Sequence, residues 1–323
     1  MPWATRALKL DGYDLIISSE SGPIKGIRKP KGARHVCYCH TPMRYLWDMH
    51  DEYYRAAGSG GKLAMKLFTQ YLRKEDLLAL WTFTGGVAKY VALLMDAGAV
   101  TRRQIIEKII CEESLLIDEG RMILAEEFDK EYGFYFSVLS AIACGRNTRT
   151  EISQALGRDC GGYLTRLERD YAIIEQIRPI YSRESSKGAH YRIHDRFFSF
   201  WFRFVFKYSY LLQIRGYDKL REIVERDYPV FSGFALESYF HQKFVESGKW
   251  TRLGNWWDRK GENELDLVAE NELDGRLLVA EVKRDKARID LGAVRTKFEI
   301  FRKAAKLGRK LKPEFKALSL DDM

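Results

Sequence analysis

Two apolar runs near the C-terminal end constrain the fold most, because each carries charge at alternate positions. Residues 264–269 and 277–283 have the length and the apolar content of β-strands. Side chains in a strand repeat every second residue, so Glu281 and Lys283 are predicted on one face. The segment between Asp266 and Glu281 is long enough to finish one strand, turn and return. The two strands are therefore predicted to pair antiparallel.

The charged residues of these strands form a candidate site for phosphodiester hydrolysis. Such chemistry needs clustered oxygen ligands for Mg²⁺ and a cation for the charge that develops on the phosphate. Asp266 and Glu281 supply oxygens, and Lys283 supplies the cation. Glu237, on an amphipathic helix predicted over residues 231–244, can lean over the carboxylates. The alternative is a surface hairpin with an ordinary Glu–Lys pair.

The order of a helix glutamate (Glu237), a strand aspartate (Asp266) and then Glu281-Val-Lys283 resembles the pattern of the PD-(D/E)XK nuclease superfamily. The resemblance implies that Asp266 and Glu281 bind Mg²⁺ and that Glu237 completes the site. It also implies that Lys283 positions or activates the attacking water. A fold that is retained without catalysis is a further alternative.

The region before this domain is predicted to be mostly helical. From residue 134 three short helices and two extended stretches predict a winged helix-turn-helix. Thr148 or Thr150 is predicted to cap the second helix, and Glu151 would complete a capping box with Thr148. The aromatic run 197–210 predicts a packed connecting helix rather than a base-stacking surface.

Three segments of this region carry a recognisable pattern: Phe83-Thr-Gly-Gly-Val-Ala-Lys-Tyr90, residues 139–152, and Tyr191-Arg-Ile-His-Asp195 ahead of residues 200–205. Together they resemble the C-terminal half of archaeal-type P-loop ATPases of the AAA+/STAND superfamily, although Ala88 stands where that family usually has Pro. The resemblance implies a helical lid (74–133), a winged-helix domain (134–230) and a nuclease-like domain (231–323).

The ATPase core of that family has no counterpart in the sequence. A P-loop needs Gly-x4-Gly-Lys-Ser/Thr to hold phosphates and Mg²⁺. The nearest candidate, residues 56–63, lacks the first Gly and has Leu63 in place of the hydroxyl residue. We therefore predict no ATP site and interpret the chain as a truncated ATPase-family protein that can pair with an intact ATPase.

Residues 1–73 carry a different pattern. Residues 14–19 and 35–40 are predicted strands of a parallel α/β sheet. The segments Tyr13–Gly26 and His35–Asp48 resemble the N-terminal, acceptor-side domain of family 4 glycosyltransferases, which implies a Rossmann-like fragment. Nothing after residue 73 resembles the donor-binding domain of those enzymes, so transferase activity is not expected. The abrupt change there, where two partial domains meet, predicts a gene fusion, a truncation or an artefact of sequence assembly rather than an evolved bifunctional enzyme.

The charge distribution favours a polyanionic partner. Residues 283–316 hold 13 Lys and Arg against 4 Asp and Glu, a basic stripe that suits DNA, although an exposed helix can carry the same charges. The candidate nucleic-acid ligands are Arg158, Arg166 and Arg169 near the predicted recognition helix, and Lys283, Arg284 and Lys286 after the catalytic strand.

Other features narrow the class of protein. The five cysteines form no disulfide-like framework, and Cys37 and Cys39 are interpreted as strand cysteines rather than zinc ligands. The start of the chain lacks the apolar core of a signal peptide, and no run reaches the ~20 apolar residues of a membrane span. We predict a cytoplasmic α+β protein without a membrane partner.

Three functions follow as hypotheses. The first is a Mg²⁺-dependent DNA endonuclease, and the second is a non-catalytic DNA- or protein-interaction module that partners an intact ATPase. The third is a non-functional glycosyltransferase remnant.

Overall fold

The computed structural model describes residues 13–20, 33–39, 73–118, 120, 132–182, 188–308 and 313–323. Within them the chain is mixed α+β, the class predicted from the sequence. It divides into two compact units, one drawn from Met1–Arg73 and Gly86–Asp96 and the other from Lys74–Gly85 and Ala97–Met323. The glycine-rich segment 56–63 and His40 lie outside the described residues.

The elements are numbered in chain order. The strands are β1 (Leu15–Glu20), β2 (Arg34–Cys39), β3 (Ile174–Ile177), β4 (His190–Ile193), β5 (Arg252–Trp257), β6 (Glu264–Asn271), β7 (Arg276–Val282) and β8 (Pro313–Leu318). The helices are α1 (Lys74–Thr84), α2 (Ala88–Asp96), α3 (Arg102–Ile109), α4 (Tyr132–Ala143), α5 (Arg149–Leu156), α6 (Gly161–Arg169), α7 (Arg196–Phe200), α8 (Ser209–Gln213), α9 (Tyr217–Glu246) and α10 (Leu291–Ala304).

The described part of the first unit contains the predicted pair of strands. β1 and β2 pair in parallel, with Leu15 opposite Arg34 and Glu20 opposite Cys39. Ile16 is buried. The parallel pairing is the one predicted for this segment. Helix α2 belongs to the same unit.

Helices α4 to α6 precede the antiparallel hairpin of β3 and β4 in the second unit. Thr148, and not Thr150, caps α5. The Thr148 hydroxyl accepts a hydrogen bond from the Glu151 N–H at 3.2 Å, and the Glu151 carboxylate accepts one from the Thr148 N–H at 3.1 Å. The predicted capping box is therefore confirmed. Gly157 ends α5 with a left-handed φ of 64°.

Replacing Thr148 by Ala is expected to lower the free energy of unfolding by about 1 kcal/mol, because one cap hydrogen bond is lost. Thr150→Ala is the matched control, since Thr150 is exposed and is not the capping residue. Chemical denaturation of both variants measures the difference. Equal stability of the two variants would contradict the assignment of the cap.

The aromatic run forms helix α7, a π-helical segment over Trp201–Phe206, and helix α8. Most aromatic rings of the first two elements are buried, and the Trp201 indole donates a hydrogen bond to the Ile117 carbonyl at 2.7 Å. The prediction of a packed helix is confirmed for Phe197–Phe206, whereas α8 has no buried residue.

The C-terminal sheet has the order β5-β6-β7-β8 and carries the candidate site. β6 pairs antiparallel with β5 and with β7, and the pairing of β6 with β7 is the one predicted from the sequence. β8 lies parallel to β7 after the crossover through α10. Such a parallel return requires a crossover connection, which α10 supplies.

Helices cover both faces of this sheet. One core joins strand residues such as Leu267 and Val282 to Leu236 and Phe240 of α9, and it also includes Leu78 of α1. The other core joins strand residues to Val294, Phe298 and Phe301 of α10. The buried apolar residues of β6 and β7 divide between these cores: Leu267 and Val282 lie in the first, and Leu265 and Val279 lie in the second.

In the described part of the chain, every helix is too short or too polar to cross a lipid bilayer.

Candidate functional site

Asp266 and Glu281 stand on neighbouring strands, one residue beyond the Leu267–Ala280 pair of the register. Both side chains belong to buried residues, 8% and 7% exposed. The Lys283 ammonium lies 3.3 Å from Asp266 Oδ2 and 3.2 Å from Glu281 Oε1. The structure therefore brings together three of the four residues predicted as catalytic.

Main-chain hydrogen bonds hold this arrangement in place. The Val282 N–H donates to Asp266 Oδ2 at 2.8 Å, which fixes the carboxylate against β7. The Lys283 N–H donates to the Leu318 carbonyl of β8 at 3.0 Å. Because Val282 belongs to β7 and Leu318 to β8, these two hydrogen bonds fix the position at which the Lys283 side chain leaves the sheet.

A second lysine reaches the site from helix α10. Lys297 Nζ lies 3.4 Å from both carboxylate oxygens of Glu281. The Asp290 side chain caps α10 by accepting from the N–H groups of Gly292 and Ala293, which sets where the helix begins. Sequence reasoning missed Lys297. The sequence feature that could have pointed to Lys297 is its position within the basic stripe of residues 283–316. Strand alternation, however, could not show which lysine of a helix faces the sheet.

Burial and mutual repulsion perturb the carboxylates. Burial, followed by the charge of Asp266, raises the pKa of Glu237 on α9 to about 8. Burial and Asp266 also raise the pKa of Glu264, another residue that sequence reasoning left out. For Asp266 itself, burial and then Glu281 raise the pKa, while Lys283 opposes them. The negative charges of Asp266, Glu264 and Glu281 thus all favour the neutral form of Glu237.

Among the residues that the structure describes, the acidic groups at this site outnumber the lysines. Four carboxylates act on one another (Glu237, Glu264, Asp266 and Glu281), whereas the lysines in contact with them are Lys283 and Lys297. Burial lowers the pKa of Lys283, but Asp266 and Glu281 outweigh burial and raise it. Lys283 is therefore charged at neutral pH.

The donor set is compatible with Mg²⁺ in its chemistry. All the candidate ligands are oxygens, which is what a hard divalent cation prefers. Burial and the neighbouring carboxylates raise the pKa values of Glu237 and Asp266, and a bound cation would favour the charged forms of both. Across the described residues, however, no three Asp, Glu, His or Cys side chains are arranged to hold a metal ion.

The arginines predicted at the recognition helix have aromatic neighbours or are exposed. Arg158 stacks over the Phe134 ring, 4.4 Å from its centroid, and donates to the Tyr163 hydroxyl at 2.8 Å. Arg166 lies over the same Tyr163 ring at 5.2 Å. Arg169 is exposed. Arg158 and Arg166 nevertheless belong to exposed residues, so their outer edges face solvent.

The basic residues after β7 make intramolecular contacts. Arg284 donates to both carboxylate oxygens of Glu75 at 2.8 Å and also to the Ser232 hydroxyl. Its guanidinium lies 5.1 Å from the centroid of the Tyr228 ring. Lys286 Nζ lies 3.4 Å from Asp322. Arg284 therefore ties α1 to the end of the strand that carries the candidate site.

Comparison with known proteins concerns the segment that holds this site. Residues 201–293 match the model of a family described as archaeal and bacterial proteins of unknown function (DUF234). The match includes Glu237, Asp266, Glu281 and Lys283. The match is consistent with the coarse resemblance to AAA-like ATPases seen in the sequence.

A relative from Methanocaldococcus jannaschii, the uncharacterized protein MJECL04, is 31% identical over 219 residues. The alignment covers 65% of this chain and 48% of the relative, so the chain spans about half the length of the curated relative that it matches. No solved structure matches the chain.

Proposed function

We propose that this chain is a Mg²⁺-dependent nuclease that hydrolyses phosphodiester bonds of DNA. The observation that carries the proposal is the convergence of Asp266 and Glu281 on Lys283 within 3.3 Å at the end of two paired strands. Buried carboxylates with raised pKa values, gathered around a lysine, are a recurring feature of functional sites.

The finer assignments of fold belong to the same proposal. Strands β5–β8 with α9 and α10 would form the PD-(D/E)XK-like domain, and α4–α6 with the hairpin of β3 and β4 would form the winged helix. Residues 1–73 would be the Rossmann-like fragment that resembles family 4 glycosyltransferases, without transferase activity. A cytoplasmic location and a partnership with an intact ATPase complete the proposal.

Each residue of the site has a distinct role in the proposed reaction. Asp266 and Glu281 would hold Mg²⁺, which when bound polarises phosphoryl oxygens and lowers the pKa of water. The Lys283 ammonium would stabilise charge on the phosphate and position the attacking water. Val282 keeps the Asp266 carboxylate oriented through its N–H group. Glu237 would complete the acidic set from α9.

A second candidate is a non-catalytic DNA- or protein-interaction module. The observation that favours it is the Lys283 ammonium, which contacts both strand carboxylates directly and neutralises part of their charge. A retained nuclease fold that has lost metal binding would be expected to close its acidic pair in this way.

Metal dependence distinguishes the two candidates. We expect the protein to cleave single- or double-stranded DNA in Mg²⁺ or Mn²⁺, to lose the activity when EDTA removes the metal, and to regain it when Mg²⁺ is restored. Since a ligand of the native state stabilises it, Mg²⁺ should also raise the melting temperature. If the folded protein cleaves neither single-stranded nor double-stranded DNA and Mg²⁺ does not raise its melting temperature, the nuclease proposal is wrong and the interaction module remains.

A further inference from the structure

Strand β6 is irregular at the position of Asp266. Between two regular pairs of the β5–β6 ladder, Asn255 is the single residue of β5 that faces both Asp266 and Leu267. This two-against-one arrangement is a β-bulge, which leaves part of the ladder unpaired and turns nearby side chains. Bulges are frequent next to active sites. The regular pairs on either side are Gly254 with Val268 and Trp256 with Leu265.

The bulge changes which face of the sheet the side chains of β6 reach. In a regular strand Leu265 and Leu267 would share one face, because side chains repeat every second residue. Instead, Leu265 packs in the core formed with α10, as does Val268 three residues later, and Leu267 packs in the core formed with α9. Asp266 lies at this change of face. The bulge therefore determines the direction in which the Asp266 carboxylate points.

The Asn255 side chain supplies a hydrogen bond at the bulge. Its Nδ2 donates to the main-chain carbonyl of Asp266 at 2.6 Å. The Asn255 carbonyl in turn accepts from the Ile180 N–H at 2.8 Å, so the segment after β3 fixes the main chain of Asn255. Gly254 allows this close approach, because a Cβ added there would lie 3.2 Å from the Ile180 Cβ. Asn255 is thus a fixed donor to the main chain of Asp266.

The Asp266 carboxylate keeps one oxygen for a ligand. The Val282 N–H donates to Oδ2 at 2.8 Å, and Lys283 Nζ lies 3.3 Å from the same oxygen. Both of these hydrogen bonds from the described residues end on Oδ2, so Oδ1 can coordinate a divalent cation. With Asn255 at the carbonyl and Val282 at the carboxylate, the main chain and the side chain of Asp266 are each held by one donor.

We propose that Asn255 is a positioning residue that holds Asp266 in the direction required to bind the divalent cation of the carboxylate site. The proposal rests on the proposed nuclease function, whose metal site it concerns. Replacing a residue that orients a metal ligand typically weakens metal binding or activity about 10- to 100-fold. Sequence reasoning did not single out Asn255, because a bulge is visible only in the pairing of two strands.

The test measures the binding of Mn²⁺ alone to the full chain, from the electron paramagnetic resonance signal of the free ion. Asn255→Ala should raise the Kd for Mn²⁺ about tenfold or more, because Asp266 loses the hydrogen bond that fixes its main chain. Asn255→Gln, which keeps an amide donor on a longer stem, should give an intermediate Kd. Thermal unfolding shows whether each variant is folded, and if Asn255→Ala is not, the Kd of Asn255→Gln decides.

Asn271→Ala is the matched control, because Asn271 makes a hydrogen bond of the same kind at the other end of β6. Its Nδ2 donates to the Lys249 carbonyl at 2.9 Å. The control should be less stable than the wild type, since that hydrogen bond is lost, but its Kd for Mn²⁺ should stay near the wild-type value. If Asn255→Ala behaved in the same way, with lower stability and an unchanged Kd, Asn255 would be structural and the inference would be wrong.

The outcomes separate the two proposals. If the wild type binds Mn²⁺ and cleaves DNA while the folded Asn255 variants keep the wild-type Kd, the positioning role is wrong and the nuclease stands. If the wild type binds Mn²⁺ without cleaving DNA, the nuclease fails and the Kd of the variants still decides the role of Asn255. A folded wild type that binds no Mn²⁺ would overturn both.

Discussion

Asp266→Asn is expected to slow phosphodiester cleavage about 10³-fold or more, roughly 4 kcal/mol of transition-state stabilisation. The substitution removes a proposed metal ligand but keeps the size and one oxygen of the side chain. That oxygen can still accept the hydrogen bond that Val282 N–H gives to Asp266 at 2.8 Å. The variant should fold, because it also relieves the repulsion among carboxylates at the site. Initial cleavage rates in Mg²⁺ measure the loss.

Asp218→Asn is the matched control for this variant, because it makes the same chemical change in the same unit of the chain. The Asp218 side chain is 90% exposed and lies far from Asp266 and Glu281 in the sequence. Its cleavage rate should equal that of the wild type. Mg²⁺ should raise the melting temperature of the control but not that of Asp266→Asn. Unchanged cleavage by a folded Asp266→Asn protein would show that any nuclease activity resides elsewhere.

Leu78→Ala is expected to lower the free energy of unfolding by about 3 kcal/mol, because it leaves a cavity in a closed core. Leu78 on α1 is fully buried among residues of α9 and the C-terminal sheet. The neighbouring Trp81 indole donates to the Ala235 carbonyl at 3.2 Å, so the surrounding helices have little freedom to close the gap. Denaturant titration followed by tryptophan fluorescence measures the change.

Leu273→Ala makes the same chemical change where the side chain is 88% exposed, in the turn between β6 and β7. Its stability should stay within about 0.5 kcal/mol of the wild type. If Leu78→Ala were as stable as Leu273→Ala, α1 would not be packed on the C-terminal sheet as the structure has it.

The sequence predicted those features that depend on local periodicity. Alternation placed β6 and β7, and it put Asp266, Glu281 and Lys283 close enough to meet. The spacing of Thr148 and Glu151 gave the capping box, because that motif closes within four residues. These predictions needed no knowledge of distant parts of the chain.

Features that depend on tertiary packing were missed. Lys297 reaches Glu281 only because α10 crosses one face of the sheet on its way to β8. Strand alternation also could not show that helices cover both faces of the sheet, so the division of Leu267 and Val279 between two cores was not predicted.

Helix α1 has a consequence for how such a protein can be rearranged by recombination. The chain enters the second unit at Lys74, leaves it at Gly85 and returns at Ala97. A gene segment that starts at Ala97 would encode every carboxylate of the acidic site but not the helix that supplies Leu78 to its core. The inherited piece would expose an apolar face and leave Arg284 without Glu75. Exchange of the acidic site between proteins therefore preserves the fold only when the breakpoint lies before Lys74.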